Sequence, residues 1–175
     1  MKEKMMIIIF ILLFNNISTK DKLEGVYFII SSKNKKRLIN INSKVYFRSL
    51  HLSIGLNSYY MRIKPIDIDL YNIESLNSSQ LLIMDNYNNL KFVNKNNNKY
   101  KEHIFWKIIK IKDDNYLIQN NKTKKFLDLD NHYSKSSKEI SDAFEQKNFE
   151  NISTNYKFHF IKLVEEPEIK KEYTK

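Results

Sequence analysis

Apolar and polar residues alternate through most of this chain in short bursts separated by polar turns. Tyr27-Phe-Ile29, Tyr71-Asn-Ile73 and Tyr116-Leu-Ile118 repeat one opening, an aromatic residue, a spacer and an isoleucine, at steps of 44 and 45 residues. Each opening leads through a polar turn to a second apolar segment at Leu38, Leu82 and Leu127, again 44 and 45 apart. Val45-Tyr-Phe47 and Leu90-Lys-Phe92 add a further strand to the first two copies, 45 residues apart. The copies also close alike, on Met61-Arg-Ile63, Trp106-Lys-Ile108 and Phe158-His-Phe160, at steps of 45 and 52. Alternation over such short runs marks half-buried strands, because successive side chains of a strand point to opposite faces.

Four strands in each of three copies predict an all-β chain of twelve short strands. Three repeats of about 45 residues select a β-trefoil, since a propeller of similar period needs at least four blades. Helical repeats would need apolar spacings of three and four, which these segments lack. The predicted domain covers residues 23–164, with lobes at about 23–67, 68–112 and 113–164. The longer last step gives the third lobe about seven extra residues, placed between Asp130 and Asn155 in a polar stretch where an insertion costs little. Residues 165–175 are charged, lack a core pattern and are expected to fray.

The first 19 residues break the pattern. A short charged start, Met1 to Lys4, precedes the unbroken apolar run Met5 to Phe14 and a polar exit, Asn15 to Thr19. That order predicts a secretory signal peptide over residues 1–19, with Ser18 and Thr19 as small residues near the cleavage point. The alternative is a buried first element of the domain. The run is too short to cross a bilayer, which takes about 20 apolar residues. The expectation is an exported protein with no stable membrane anchor.

Composition adds few constraints. A chain of 175 residues with 42% hydrophobic content can bury one real core. It contains no cysteine, so an exported domain would rest on that core without disulfides, and thiolate chemistry is ruled out. The net charge of +10 has two readings, an electrostatic footprint for an acidic partner or a solvated lysine-rich surface. The cations are spread over Lys33 to Arg37, Lys122 to Lys125 and single lysines, with no long basic block, which favours the solvated surface and gives no reason to expect nucleic acid as a partner.

Candidate catalytic groups do not converge. His51, His103, His132 and His159 lack metal-ligand spacing, and two glycines cannot build a phosphate-binding loop. Asp67 and Asp69 form a close carboxylate pair, but they fall at a lobe junction where a hydrophilic connection is expected. The expectation is a non-enzyme without cofactor or metal, acting as a monomer. Asn77, Asn121 and Asn151 open N-glycosylation sequons in predicted loops, a pattern that so Asn-rich a chain also produces by chance.

The aromatic-x-Ile openings, the segment Lys125-Phe-Leu-Asp-Leu129 and the closing Trp106-Lys-Ile108 resemble the lobes of the ricin B-type lectin family over roughly residues 23–164. The chain departs from that family in lacking its lobe-closing Gln-x-Trp, with Tyr59-Tyr-Met61, Ile104-Phe-Trp106 and Tyr156-Lys-Phe158 in its place. The resemblance implies a sugar site built from an Asp after the second strand, an aromatic ring in the following loop and an Asn just before the closing motif. Lobe one has Ile39 and Ser58 at the Asp and Asn positions, and lobe two has Ile83 and His103. Lobe three keeps both as Asp128 and Asn155, with Tyr133, Phe144 and Phe149 as candidate stacking rings. The resemblance therefore implies a secreted carbohydrate-binding module with at most one surviving site, its partner a glycan or glycoprotein. A solvated turn carboxylate is the other reading of Asp128, and packing of the insertion is the other reading of the three rings. A trefoil scaffold for protein interaction or inhibition, or one binding anionic glycans through its basic surface, is the competing function.

Overall fold

The computed structural model describes residues 22–128 and 152–163, and within them the chain is all-β. Ten strands follow in order: β1 (Gly25–Ser31), β2 (Arg37–Ile41), β3 (Lys44–Arg48), β4 (Met61–Asp67), β5 (Leu70–Ser75), β6 (Gln80–Met84), β7 (Leu90–Asn94), β8 (Trp106–Lys110), β9 (Tyr116–Asn120) and β10 (Phe158–Lys162). The pairings β1–β4, β4–β5, β5–β8, β8–β9, β9–β10 and β10–β1 are all antiparallel and close a six-stranded ring. The hairpins β2–β3 and β6–β7 lie beside the ring and touch each other where Lys44 of β3 pairs with Lys91 of β7. In the third lobe Phe126 bridges to Gln119, as Arg37 does to Ile30 and Leu81 to Glu74 in the first two. The predicted signal peptide, the third-lobe insertion and the charged tail lie outside the described residues.

The repeat read from the sequence is a register in space. Each lobe's opening tyrosine faces that lobe's closing large residue: Tyr27 opposite Met61, Tyr71 opposite Trp106, Tyr116 opposite Phe158. Alternation then sends Ile29, Ile73 and Ile118 inward to meet Leu38, Leu82 and Leu127 in one continuous core. A smaller cluster under the third lobe joins Ile111, Leu117, Phe126, Ile152 and Tyr156. Trefoil symmetry is thus written in side-chain volume at equivalent positions.

The turns repeat as well. Lys35, Ser79 and Lys124, 44 and 45 residues apart, hold the left-handed backbone conformation with φ of 59°, 53° and 57°. In each turn that residue's N–H donates to the carbonyl of Ser31, Ser75 or Asn120 respectively, at 2.9–3.0 Å. A side chain in this region costs roughly 1–2 kcal/mol, and glycine relieves it at an entropic cost of about 0.5–1 kcal/mol. Ser79→Gly and Lys124→Gly are therefore each expected to stabilise the fold by about 0.5 kcal/mol. Thermal melts should rise by on the order of 2 °C for the pair, and a fall would show that these turns gain more from their side chains than they lose in strain.

Candidate functional site

The third lobe positions its polar residues through backbone bonds made to the barrel. Leu127 has no exposed surface, and its N–H donates to the carbonyl of Ile118 at 2.8 Å, fixing the next residue, Asp128, at the end of the described segment. Asp128 is only 3% exposed, so the solvated turn carboxylate considered from the sequence is not what the fold makes of it. On the other segment Ser153 caps a short 3-10 turn, Thr154–Tyr156, its Oγ accepting from the Asn155 N–H at 3.3 Å. Phe126, Ile152 and Tyr156 pack in the same cluster, which clamps the two segments carrying Asp128 and Asn155 against each other.

The equivalent places in the other lobes are built differently. Ile39 and Ile83 have no exposed surface, so the position held by a carboxylate in lobe three is plain core in lobes one and two. His103, at the Asn position of lobe two, is buried with Nδ1 2.6 Å from the Met84 carbonyl oxygen. A carbonyl can only accept, so Nδ1 carries the proton and His103 is fixed against the end of β6. Ser58, in lobe one, is buried and donates to the Ile54 carbonyl at 3.3 Å. The residue before the closing motif is buried in lobes one and two and half-buried as Asn155 in lobe three.

A polar cluster in lobe two escaped sequence reasoning. Asp85 Oδ1 accepts from the N–H groups of Tyr87 and Asn89, both at 2.9 Å, closing the turn between β6 and β7. Its Oδ2 lies 3.2 Å from the Lys91 ammonium, which also donates to the Tyr100 hydroxyl at 2.9 Å and sits 4.5 Å from that ring's centre. Burial pushes the Asp85 carboxyl up, but the Asn89 N–H, the Lys91 ammonium and the Tyr87 N–H outweigh it and leave its pKa below the ordinary value. The bond to Tyr100 first, and the Asp85 charge after it, hold Lys91 above its ordinary pKa despite burial. The same bond lowers the Tyr100 phenol. Tyr87, at the turn's tip, is 83% exposed. The sequence signal was Asp85-Asn-Tyr-Asn-Asn89, a turn composition carrying a ring where a polar residue would serve.

Other expected residues fall out simply. Tyr133, Phe144, Phe149 and Asn151 lie outside the described residues. Asn77 is exposed on the turn after β5, and Asn121 is half-buried with its side-chain carbonyl accepting from Lys124 Nζ at 3.1 Å. Asp67 and Asp69 make the turn between β4 and β5: Asp67 Oδ1 accepts from the Ile68 N–H at 2.7 Å, and Asp69 takes a φ of 59°. His159 projects from β10 with Nδ1 3.3 Å from the Asp114 carbonyl oxygen. Among the described residues no group of three or more His, Asp or Glu is arranged to hold a metal ion.

Ring, hairpins and threefold register together define a β-trefoil, and the solved structures it is similar to include sugar-binding members of that class. One is the designed three-fold symmetric protein ThreeFoil, with a TM-score of 0.61 and 16% identity over 80% of this chain and 100% of that one. Another is SeviL bound to asialo-GM1 saccharide, with a TM-score of 0.60 and 12% identity over 80% of this chain and 98% of that one. A third is the Polyporus squamosus lectin bound to a human-type influenza-binding epitope, with a TM-score of 0.60, 16% identity, and coverage of 81% of this chain and 50% of that one. At such identities the likeness establishes the fold. No protein-family model and no curated protein matches the chain.

Proposed function

We propose that this chain is a secreted, non-catalytic carbohydrate-binding module whose sugar site lies in its third lobe. One observation carries the reading. Asp128 is a buried carboxylate at the position where the other two lobes place fully buried isoleucines. The third lobe thus keeps an acid, where its siblings keep aliphatic core, at the position to which the lectin resemblance assigns the sugar-binding carboxylate. Asp128 and Asn155 would bind neighbouring hydroxyls of a sugar through charge-assisted and amide hydrogen bonds. Tyr133, Phe144 and Phe149 supply rings for the apolar face of the same sugar. The bound saccharides of SeviL and the Polyporus lectin support the choice of ligand class. Export follows from the signal-like residues 1–19, and the partner is a glycan or glycoprotein met outside the cell.

A glycan array on the chain and on Asp128→Ala tests this. Loss of two charge-assisted bonds should weaken binding to a neutral glycan by roughly 100-fold. Binding indifferent to Asp128 would remove the third-lobe site. The second reading, a protein-interaction scaffold, draws on the tip between β4 and β5, where Ile66 is 51% and Ile68 85% exposed. A chain that binds no glycan would leave that apolar tip as the surface to pursue.

A further inference from the structure

The positive charge is not evenly spread once the chain is folded. Between Gly25 and Ile66 there are eight lysines and arginines and not one aspartate or glutamate. That stretch is the whole of the first lobe apart from its ends. Two of the eight, Arg62 and Lys64, neutralise Glu74 of the neighbouring lobe. Among the described residues, no carboxylate pairs with Lys35, Lys36, Arg37, Lys44 or Arg48.

The β2–β3 hairpin concentrates these charges. Arg37 and Arg48 are direct cross-strand partners in its register. Like charges set opposite each other destabilise a hairpin unless something relieves them. Each guanidinium is instead held by its own ring: Arg37 lies 5.3 Å from the centre of Phe28, and Arg48 5.0 Å from the centre of Tyr46. Stacking of this kind fixes a planar donor fork before any ligand arrives, so less freedom is lost on binding. A cavity opens beside each arginine. One, of about 430 Å³, is lined by Lys36, Arg48, His51 and Ser53. The other, of about 610 Å³, is lined by Lys35, Arg37, Tyr116, His159 and Asp114 where lobe one meets lobe three, and the Asp114 carboxylate there is paired with Lys110 at 3.0 Å.

We propose that this face of the first lobe is a binding site for an acidic polysaccharide, one bearing sulfate or carboxylate groups. Two adjacent cavities, each supplied with a lysine and an arginine, suit consecutive charged sugar units along one chain, and the opposed arginines gain a shared counter-charge between them. Single-stranded nucleic acid fits less well, because it needs open rings on which bases can stack. Here the Phe28 and Tyr46 rings are covered by guanidinium groups, and Tyr116 is engaged edge-on with Phe160. The site is separate from Asp128 and stands whether or not the third lobe binds a neutral sugar.

The test uses the full chain with heparin as the sulfated probe, hyaluronan as the carboxylated one, dextran as the neutral one and single-stranded DNA as a polyphosphate. Heparin should bind, dextran should not, and Arg37→Ala/Arg48→Ala should weaken heparin by roughly tenfold or more. Hyaluronan binding lost with the same variant assigns the carboxylate as sufficient, and its absence assigns sulfate as the required group. Lys99→Ala/Lys101→Ala, which removes the same charge from exposed positions of lobe two, should change heparin affinity by less than about threefold. Should the arginine variant fail to fold, Lys35→Ala/Lys36→Ala reads the same face from an exposed turn. Equal weakening by the lobe-one and lobe-two variants, DNA binding as tight as heparin, or no heparin binding would each overturn the proposal.

Discussion

Trp106→Ala is expected to lower folding stability by about 3–5 kcal/mol, a large part of the 5–15 kcal/mol typical of native domains. The side chain has no exposed surface and stands at the closing position of the middle lobe, opposite Tyr71. It also does what its equivalents Met61 and Phe158 cannot, donating its indole N–H to the Leu82 carbonyl at 2.9 Å. Truncation therefore opens a cavity and leaves a buried acceptor unpaired. Trp106→Phe separates the two effects, keeping most of the volume and losing about 1–2 kcal/mol for the orphaned carbonyl. Urea melts of both variants decide it. A Trp106→Ala loss below 1 kcal/mol would mean that the closing positions do not carry the core.

The second large effect concerns Glu74, which is 1% exposed on β5 and meets three cations. Lys95 Nζ is 2.7 Å away, Lys64 Nζ 3.2 Å and Arg62 Nη1 3.8 Å. Burial pushes the carboxyl up, but the ammonium groups of Lys95 and Lys64 outweigh it and hold its pKa below the ordinary glutamate value of 4.5. A depressed carboxylate stabilises the fold above its unfolded pKa, and that stability drains away as pH falls through the folded value. Lys64→Met/Lys95→Met removes the two nearest cations and leaves only Arg62, at 3.8 Å, against the cost of burial, which then dominates. The lysines are about half exposed, 46% and 44%, and solvent screening discounts the loss to about 2–4 kcal/mol at neutral pH. The pH dependence of this group then reverses, since a raised pKa makes acidification favourable. Melts of both proteins at pH 7 and pH 4 should show the gap between them narrowing at the lower pH. A constant gap would mean that Glu74 is not ionised against these lysines.

Much of this architecture could be read from the chain because it is repeated in volume. Tyr27, Tyr71 and Tyr116 announce the same inward step three times, and the structure puts each opposite its lobe's closing residue. The absence of Gln-x-Trp does not hide the fold, because the position needs bulk, and Met61, Phe158 and Trp106 all provide it with no exposed surface. The third-lobe hairpin was harder to place, since there the insertion breaks the step. The Asp85–Lys91–Tyr100 cluster was missed because its members belong to a turn and two separate segments, and only the β6–β7 pairing gathers them. Charge calls for a different kind of count. The lysines are scattered along the chain, but no acid falls between Gly25 and Ile66. A surface potential depends on what fails to cancel as much as on what is present.

The pairing of β1 with β10 gives the chain a topological schedule. Five consecutive residues of β1, Tyr27 to Ser31, are matched to the last described strand. The β2–β3 and β6–β7 hairpins are local and can form within microseconds of emerging. The ring, however, joins its first strand to its last, the kind of long-range closure that slows folding most. Until β10 arrives, β1 has one unsatisfied edge and the core stands open along that seam. Closure of the ring thus waits on the most distant contact in the described chain, and a chain cut before Phe158 would lack the strand that closes the barrel.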